Sequence, residues 1–537
     1  MSHSDKKEQF TKELYRLWSM HADRKNYKVS RRDLIKGMAG LGLGAGAISM
    51  LMKQAPFSVR QAWAAEGATP EERAINGAKA LFDSAEKKTI SIMYPSGSGG
   101  NLSPFVEEWK GLTGFDLELI EVPVTETHQK AMQEAVAKTG RYDIMIPAPL
   151  SLADLAESGV ARPLDDYMDK YDPEVYSGPN QLQFPVSDFG QKYKGKTYGL
   201  YCDGDWWHLS YRKDKLAEKG LAPKSKREMV HTWTEYDELC ATMHDPDNNF
   251  YGALEYRSPF WNKFHWMTRV QSKGHFYFDE DMNSLADTPQ GIETVKELIA
   301  LQDIMPAEQF TYGFTENYAQ YYAQGRGFCE FGWPSLWRYS NDAAGSQSVI
   351  AAKGEDGEPS QTAVSKVPGT MHNGELIRSC IHAFAWDFVV SNYSPIQEAA
   401  YCFSQWITGP TMSMRSIPNE GGYFDPWRDN HFFAPSAEFF ASYPGDFLAT
   451  HAEAIVDAVP EIQLRGAAEY LNALDINLTA AYNGNKSPEE AMEDTAKEQN
   501  RITRRLGKAE QKESWHGLAK MYPEPLQKLV GVDKWVL

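Results

Sequence analysis

From Thr89 onward the hydrophobic period of the chain switches back and forth between two and about 3.6. The stretches "TISIMYP", "DLELIEVP" and "YDIMIPA" predict strands. Between and after them, Ser103–Thr113, His128–Lys138 and Leu152–Ser158 carry helical spacing. Strand and helix repeated in this order predict an α/β unit with a parallel sheet and right-handed crossovers. The loop "PSGSGGN", Pro95 to Asn101, falls at the C-terminal end of the first strand, with Ser103 placed as N-cap and Pro104 as first helical residue. Ligands of open α/β sheets bind at that end. The glycine spacing fits neither a P-loop nor a dinucleotide fingerprint, so the loop reads as a ligand loop or a plain connection.

Farther along, residues 223–306 are mixed and loop-rich, with a helix start at "TWTEYDELCATMHD" and a turn at "DPDNNFYG". Apolar spacing is helical over Pro395–Ile407 and Glu461–Tyr482, and a charged segment follows Gly507. Between the two halves, "YGLYCDGDWWHLSYRKD" reads as strand and sets Asp203 and Asp205 against Trp206 and Trp207. Two positions apart on a strand, the carboxylates share a face at about 7 Å. Glycoside hydrolysis needs carboxyl groups on opposite sides of a bond. Neighbours on one face are better suited to accept hydrogen bonds from adjacent hydroxyls, with an indole over the apolar face of the ligand. Capping of a turn is the plainer alternative. Aromatic residues cluster elsewhere too: Phe260, Trp261, Phe264 and Trp266; Trp333 and Trp337; Tyr423, Phe424 and Trp427. Each cluster is either core or stacking surface.

Composition narrows the class. A chain of 537 residues, 42% hydrophobic and 24% charged, buries a large core and divides into two or three domains. Its start is different: Ser30-Arg31-Arg32-Asp33-Leu34-Ile35-Lys36 precedes the soft apolar run Gly37–Met52, and Ala62-Trp63-Ala64 offers a cleavage site. Residues 1–64 therefore read as a twin-arginine signal peptide, which implies the twin-arginine translocase as export partner and a periplasmic location. Those 64 residues hold 12 Lys and Arg against 5 Asp and Glu, so the net charge of −18 becomes about −25 without them. Such a surface repels nucleic acid. The five cysteines include no C-x-x-C pair. G-x-S-x-G, S-x-x-K and H-E-x-x-H are all missing. Asp245, Asp247 and Asn249 start like a calcium loop, but Phe250 and Tyr256 stand where Gly and Glu are needed. No cofactor, metal site or catalytic residue is expected.

Six segments, in order, carry a resemblance: "ISIMYPSGSGGNLSPFVEEWKGLTGFDLELIEV", "GRYDIMIPAPLSLADLAESGVARPLDDY", "YGLYCDGDWWHLSYRKDKL", "TWTEYDEL", "YAQGRGFCEFGW" and "NGNKSPEEAM". From about Lys88 to Arg504 the chain resembles the family 1 extracellular solute-binding proteins of ATP-driven importers, the group that includes the maltose-binding protein. The resemblance implies an α/β, two-lobed periplasmic binding protein fold of type II, with parallel-sheet lobes joined by crossing strands and ligand in a cleft that closes. It assigns 88–204 plus about 383–420 to one lobe, 206–380 plus about 424–505 to the other, and 506–537 to an appendage. The crossings would be the Asp203 segment and "SCIHAFAWDFVVSN", with Asp203, Asp205 and Ala383 near the hinge and Trp206 opening the second lobe. Ser98 and Asn101 would line the first lobe, and Phe260, Trp261, Trp333 and Tyr470 would offer stacking surfaces in the second. The expected activity is capture of a carbohydrate or polyol for a membrane permease, without bond breaking. A quaternary ammonium ligand and a secreted carbohydrate-active enzyme are the alternatives.

Overall fold

A computed structural model describes residues 69–171, 191–433 and 435–536; the expected signal peptide lies outside them. The described chain divides into two compact units, one running to Asp205 and resuming over Phe384–Ser442, the other comprising Trp206–Ala383 and Tyr443 onward.

The first unit is built on a five-stranded sheet in the order Asp116–Val122, Thr89–Pro95, Ile144–Met145, Asp387–Val390, Gly199–Tyr201. The first three strands are parallel, with Thr89 opposite Asp116 and Ile92 opposite Ile144. The returning strand Asp387–Val390 is antiparallel to both neighbours. One face is covered by helices Thr127–Ala137 and Leu152–Glu157, whose Ala131, Leu152 and Leu155 pack with Met93, Met145 and Val389. Elsewhere in the unit Trp109, from helix Val106–Thr113, meets Phe403 and Trp406 of helix Gln397–Thr408. Buried Asp143 ties the sheet together, accepting from the amide and hydroxyl of Ser91 and from the hydroxyl of Ser394.

The expected N-cap at Ser103 is not formed. Short 3-10 turns at Gly99–Asn101 and Ser103–Phe105 intervene, and the α-helix starts at Val106 without a side-chain cap. The cause is a tie to a distant stretch: the Gly100 amide donates to the Gly421 carbonyl, 2.9 Å away. A Cβ at Gly100 would lie 2.1 Å from the Glu420 carbonyl oxygen, so only glycine permits this approach.

The second unit holds an antiparallel three-stranded sheet, Cys329–Gly332, His208–Arg212, Thr362–Ser365, and a parallel pair, Cys380–His382 with Ala458–Pro460. Helices Trp233–Met243 and Pro488–Leu506 begin with reciprocal capping boxes at Thr232/Glu235 and Ser487/Glu490. The helix expected from Glu461 starts only at Ala467, because Gly466 takes φ +77° and the preceding residues continue from the strand Ala458–Pro460.

Two boundaries differ from the resemblance. Residues 424–442 belong to the first unit, since the Asp425 amide bonds to Asp203 and Trp427 packs edge-on against Tyr201. Residues 506–536 are part of the second unit: Trp515 packs on Phe276 and Phe278, and its Nε1 donates to the Asp279 carbonyl at 3.0 Å.

Candidate ligand site

The strand Gly199–Tyr201 ends before Asp203, and residues 202–205 are irregular, so the two carboxylates do not line a strand face as spacing suggested. They converge instead with a third, Asp425. One carboxylate oxygen from each of Asp203, Asp205 and Asp425 lies within 4.8 Å of the others. Exposure is 0% at Asp203, 5% at Asp205 and 0% at Asp425. The Asp425 amide donates to Asp203 Oδ1 at 2.6 Å, and the Gly204 amide donates to the Asp425 carbonyl at 3.2 Å. Asp205 stands at the centre, hydrogen-bonded to both other side chains.

Burial is the main force that pushes the Asp203 and Asp205 carboxyls well above the usual carboxylate range, and the charge of Asp425 adds to it at both. Burial and mutual repulsion thus favour the protonated form at Asp203 and Asp205. Asp203 Oδ2 and Asp205 Oδ1 have no hydrogen-bond partner. Buried acceptors are rarely left so in folded proteins, which points to a partner supplied from outside the chain. The donor set is oxygen only. It suits hydroxyl protons, and among metals it would suit a hard divalent cation.

Ser98 and Asn101 support this cluster from behind. Asn101 is fully buried; its Oδ1 accepts from the Phe424 amide at 3.0 Å and its Nδ2 donates to the Ser416 carbonyl at 2.9 Å. Ser98 is buried and its carbonyl accepts from the Asn101 amide. The pair thus positions the stretch that carries Asp425. Asp425 itself sits inside "GGYFDPW", where the aromatic residues draw attention away from it.

In the second unit Phe260, Trp261 and Trp333 do assemble, ring centroids 5.1 Å apart for Phe260–Trp261 and 6.2 Å for Trp261–Trp333. Phe260 and Trp261 are half-buried; Trp333 is buried, with Nε1 donating to the Ala383 carbonyl at 3.2 Å. Phe260 has φ +74°, held by its amide on Asp475 Oδ1 at 2.7 Å and by Lys263 on its carbonyl. A bulky residue kept in the left-handed region stores strain of the kind found at functional sites.

Trp206 and Tyr470 are placed differently from the stacking expectation. Trp206 is buried, its ring stacked on His451 at 3.7 Å and its Nε1 bonded to the His451 carbonyl. Tyr470 is fully buried against Phe278, with its hydroxyl bonded to Thr503 and Gln511. Both rings are committed to packing.

A family model described as bacterial extracellular solute-binding protein matches residues 97–414. A curated relative, the erythritol/L-threitol-binding protein of Mycolicibacterium smegmatis, is 22% identical over 434 residues, covering 75% of this chain and 82% of that protein. Among solved structures, an ABC transporter solute-binding protein of Agrobacterium radiobacter in complex with ribitol has a TM-score of 0.66 at 16% identity, covering 77% of this chain and 98% of its own. Maltose-bound MalE3 of T. maritima has a TM-score of 0.65 at 18% identity, covering 77% and 99%. A solute-binding protein of Agrobacterium vitis with bound D-mannitol has a TM-score of 0.64 at 18% identity, covering 78% and 99%. The two α/β units described above are the fold these proteins share, and the chain belongs to the bacterial extracellular solute-binding protein family.

Proposed function

We propose that this protein is the solute-binding component of an ABC importer and that its solute is a polyol or a closely related carbohydrate. The carrying observation is the buried cluster of Asp203, Asp205 and Asp425, in which Asp203 Oδ2 and Asp205 Oδ1 have no hydrogen-bond partner and would accept from adjacent hydroxyls. The relatives named for erythritol or threitol, ribitol and D-mannitol support the polyol side of this reading, and maltose-bound MalE3 supports the wider carbohydrate class. The ligand is held and released unchanged, then passed to a permease in the inner membrane. Arg31, Arg32 and the apolar run after them support export through the twin-arginine route to the periplasm. Differential scanning of the mature protein against four- to six-carbon polyols, sugars and betaines tests the reading. A ligand at 100 times its Kd stabilises the native state by about 2.7 kcal/mol. Stabilisation by a polyol or sugar is the expected result; a response to betaines alone replaces the reading with the quaternary ammonium one.

A further inference from the structure

Another buried carboxyl, Glu461, belongs to the second unit. Glu461 is 0% exposed, and neither of its carboxylate oxygens has a hydrogen-bond partner. It follows directly on the strand Ala458–Pro460, and its amide donates to the His382 carbonyl at 3.2 Å. The next carbonyl, that of Ala383, is the one that holds Trp333 Nε1. Glu461 and Trp333 are thereby fixed to consecutive residues of one segment. The charge of Lys263 acts on Glu461, and the Lys263 ammonium lies 4.1 Å from the Phe260 ring centroid and 4.5 Å from that of Phe264. One cation thus links the carboxyl to the aromatic surface of Phe260, Trp261 and Trp333.

We propose that Glu461 is a specificity-determining residue, whose two carboxylate oxygens accept hydroxyl protons from neighbouring carbons of the ligand at this aromatic surface. The inference rests on the polyol reading. A carboxyl with both acceptor oxygens unfilled, sealed from water, fits a donor pair brought by a ligand and fits nothing the chain itself supplies. Phe260, half-buried and in the left-handed region, carries the ring over which the Lys263 ammonium sits. The groups that face Glu461 are few. Lys263 comes from helix Lys263–Ser272, where it is also drawn to Asp475; Tyr277 feels the Glu461 charge and is hydrogen-bonded to Gln271; His382 is held neutral by burial. Burial pushes the Glu461 carboxyl up to about 7, with Lys263 pulling the other way. The ionised form is the double acceptor, so its share of the binding is present above that pH and lost below it.

Calorimetric titration of erythritol, ribitol and D-mannitol into wild type, Glu461→Gln and Lys263→Met between pH 6 and pH 8 tests this. Wild type is expected to bind at least one of them more weakly by about tenfold at pH 6 than at pH 8, as the ionised fraction falls. Glu461→Gln, isosteric and neutral, is expected to lose at least tenfold in affinity at pH 8, to change the rank order of the three polyols and to lose about one proton from the pH slope. Its thermal midpoint stays at or above that of wild type. Lys263→Met, which keeps the carboxyl and takes away its cation, is expected to move the midpoint of the slope to higher pH. If wild type binds a polyol and Glu461→Gln retains its affinity, rank order and slope, the role of Glu461 is overturned and the polyol reading stands. An unmoved slope in Lys263→Met overturns it equally. If wild type binds none of the three, the polyol reading itself has failed.

Discussion

Replacing Asp205 by Asn separates binding from stability in opposite directions. Asp205 is 5% exposed and hydrogen-bonded to two other carboxyls, and its own carboxyl is raised by burial and by their charges. A raised acid stabilises the fold in full below its unfolded value, near 4, and the contribution is lost as pH rises through the folded value. Unliganded wild type should therefore lose stability steadily on going from pH 4 into the neutral range. An Asn amide donates at every pH and carries two N–H groups, one for each of Asp203 and Asp425, where protonated Asp205 has a single O–H. Asp205→Asn should thus be as stable as wild type at pH 4 and more stable at pH 8. The ligand meets the reverse. A ligand hydroxyl that loses its bond to Asp205 forfeits about 0.5–1.5 kcal/mol with a neutral acceptor and about 1.5–3 kcal/mol with a charged one, so binding weakens by about twofold to a hundredfold. Differential scanning calorimetry across pH 4–8, with titration of ligand at pH 7.5, reads both quantities. A variant that is destabilised at all pH values and binds as wild type does would mean that Asp205 is a structural residue, and the site would have to lie elsewhere.

Three further outcomes follow from particular contacts. Asn101→Ala leaves the Phe424 amide unpaired in the core, while the Ser416 carbonyl keeps the Asn419 amide, and should cost about 1–3 kcal/mol in urea unfolding, with affinity reduced as the Asp425 stretch loosens. Trp261→Ala and Trp333→Ala should differ in kind: the buried Trp333 packs on Phe264 and Phe314 and its loss should cost about 3–5 kcal/mol of stability, whereas the half-buried Trp261 should cost less stability and still weaken binding. Comparing chemical unfolding with ligand titration for the two variants checks this, and equal stability losses would remove the distinction. Changing Arg31 and Arg32 together to Lys should leave precursor in the cytoplasm on cell fractionation; an unchanged periplasmic yield would discard the twin-arginine assignment.

Much of the first unit was legible because its signals are local. Thr89–Pro95 and Asp116–Val122 alternate within a few residues, and their helical crossovers follow at once, so pattern alone gives a parallel sheet. The candidate site was only half legible. Asp203 and Asp205 stood out through their aromatic neighbours, yet strand spacing kept them apart, and Asp425 joins them from 220 residues onward through one backbone amide. No local period encodes such a meeting. Asn101 was legible as a polar residue in a ligand loop, but its bonds go to backbone of another segment. Glu461 was read into a helix because the helical apolar spacing of the stretch running to Tyr482 was carried back to it; the strand behind it and the left-handed Gly466 decide otherwise. Tyr470 came from matching short motifs, which fixes order along the chain and not the direction in which a ring points.

The central claim is that the three-carboxyl cluster holds hydroxyls. Isothermal titration of erythritol, ribitol, D-mannitol and maltose into mature wild type and into the Asp203→Asn/Asp205→Asn double variant, each with and without a chelator, tests it most directly. The account predicts saturable one-to-one binding of at least one polyol or sugar to wild type, unchanged by the chelator, and weakening by at least a hundredfold in the folded double variant. Equal binding by the two proteins, or binding that vanishes with the chelator, would contradict it.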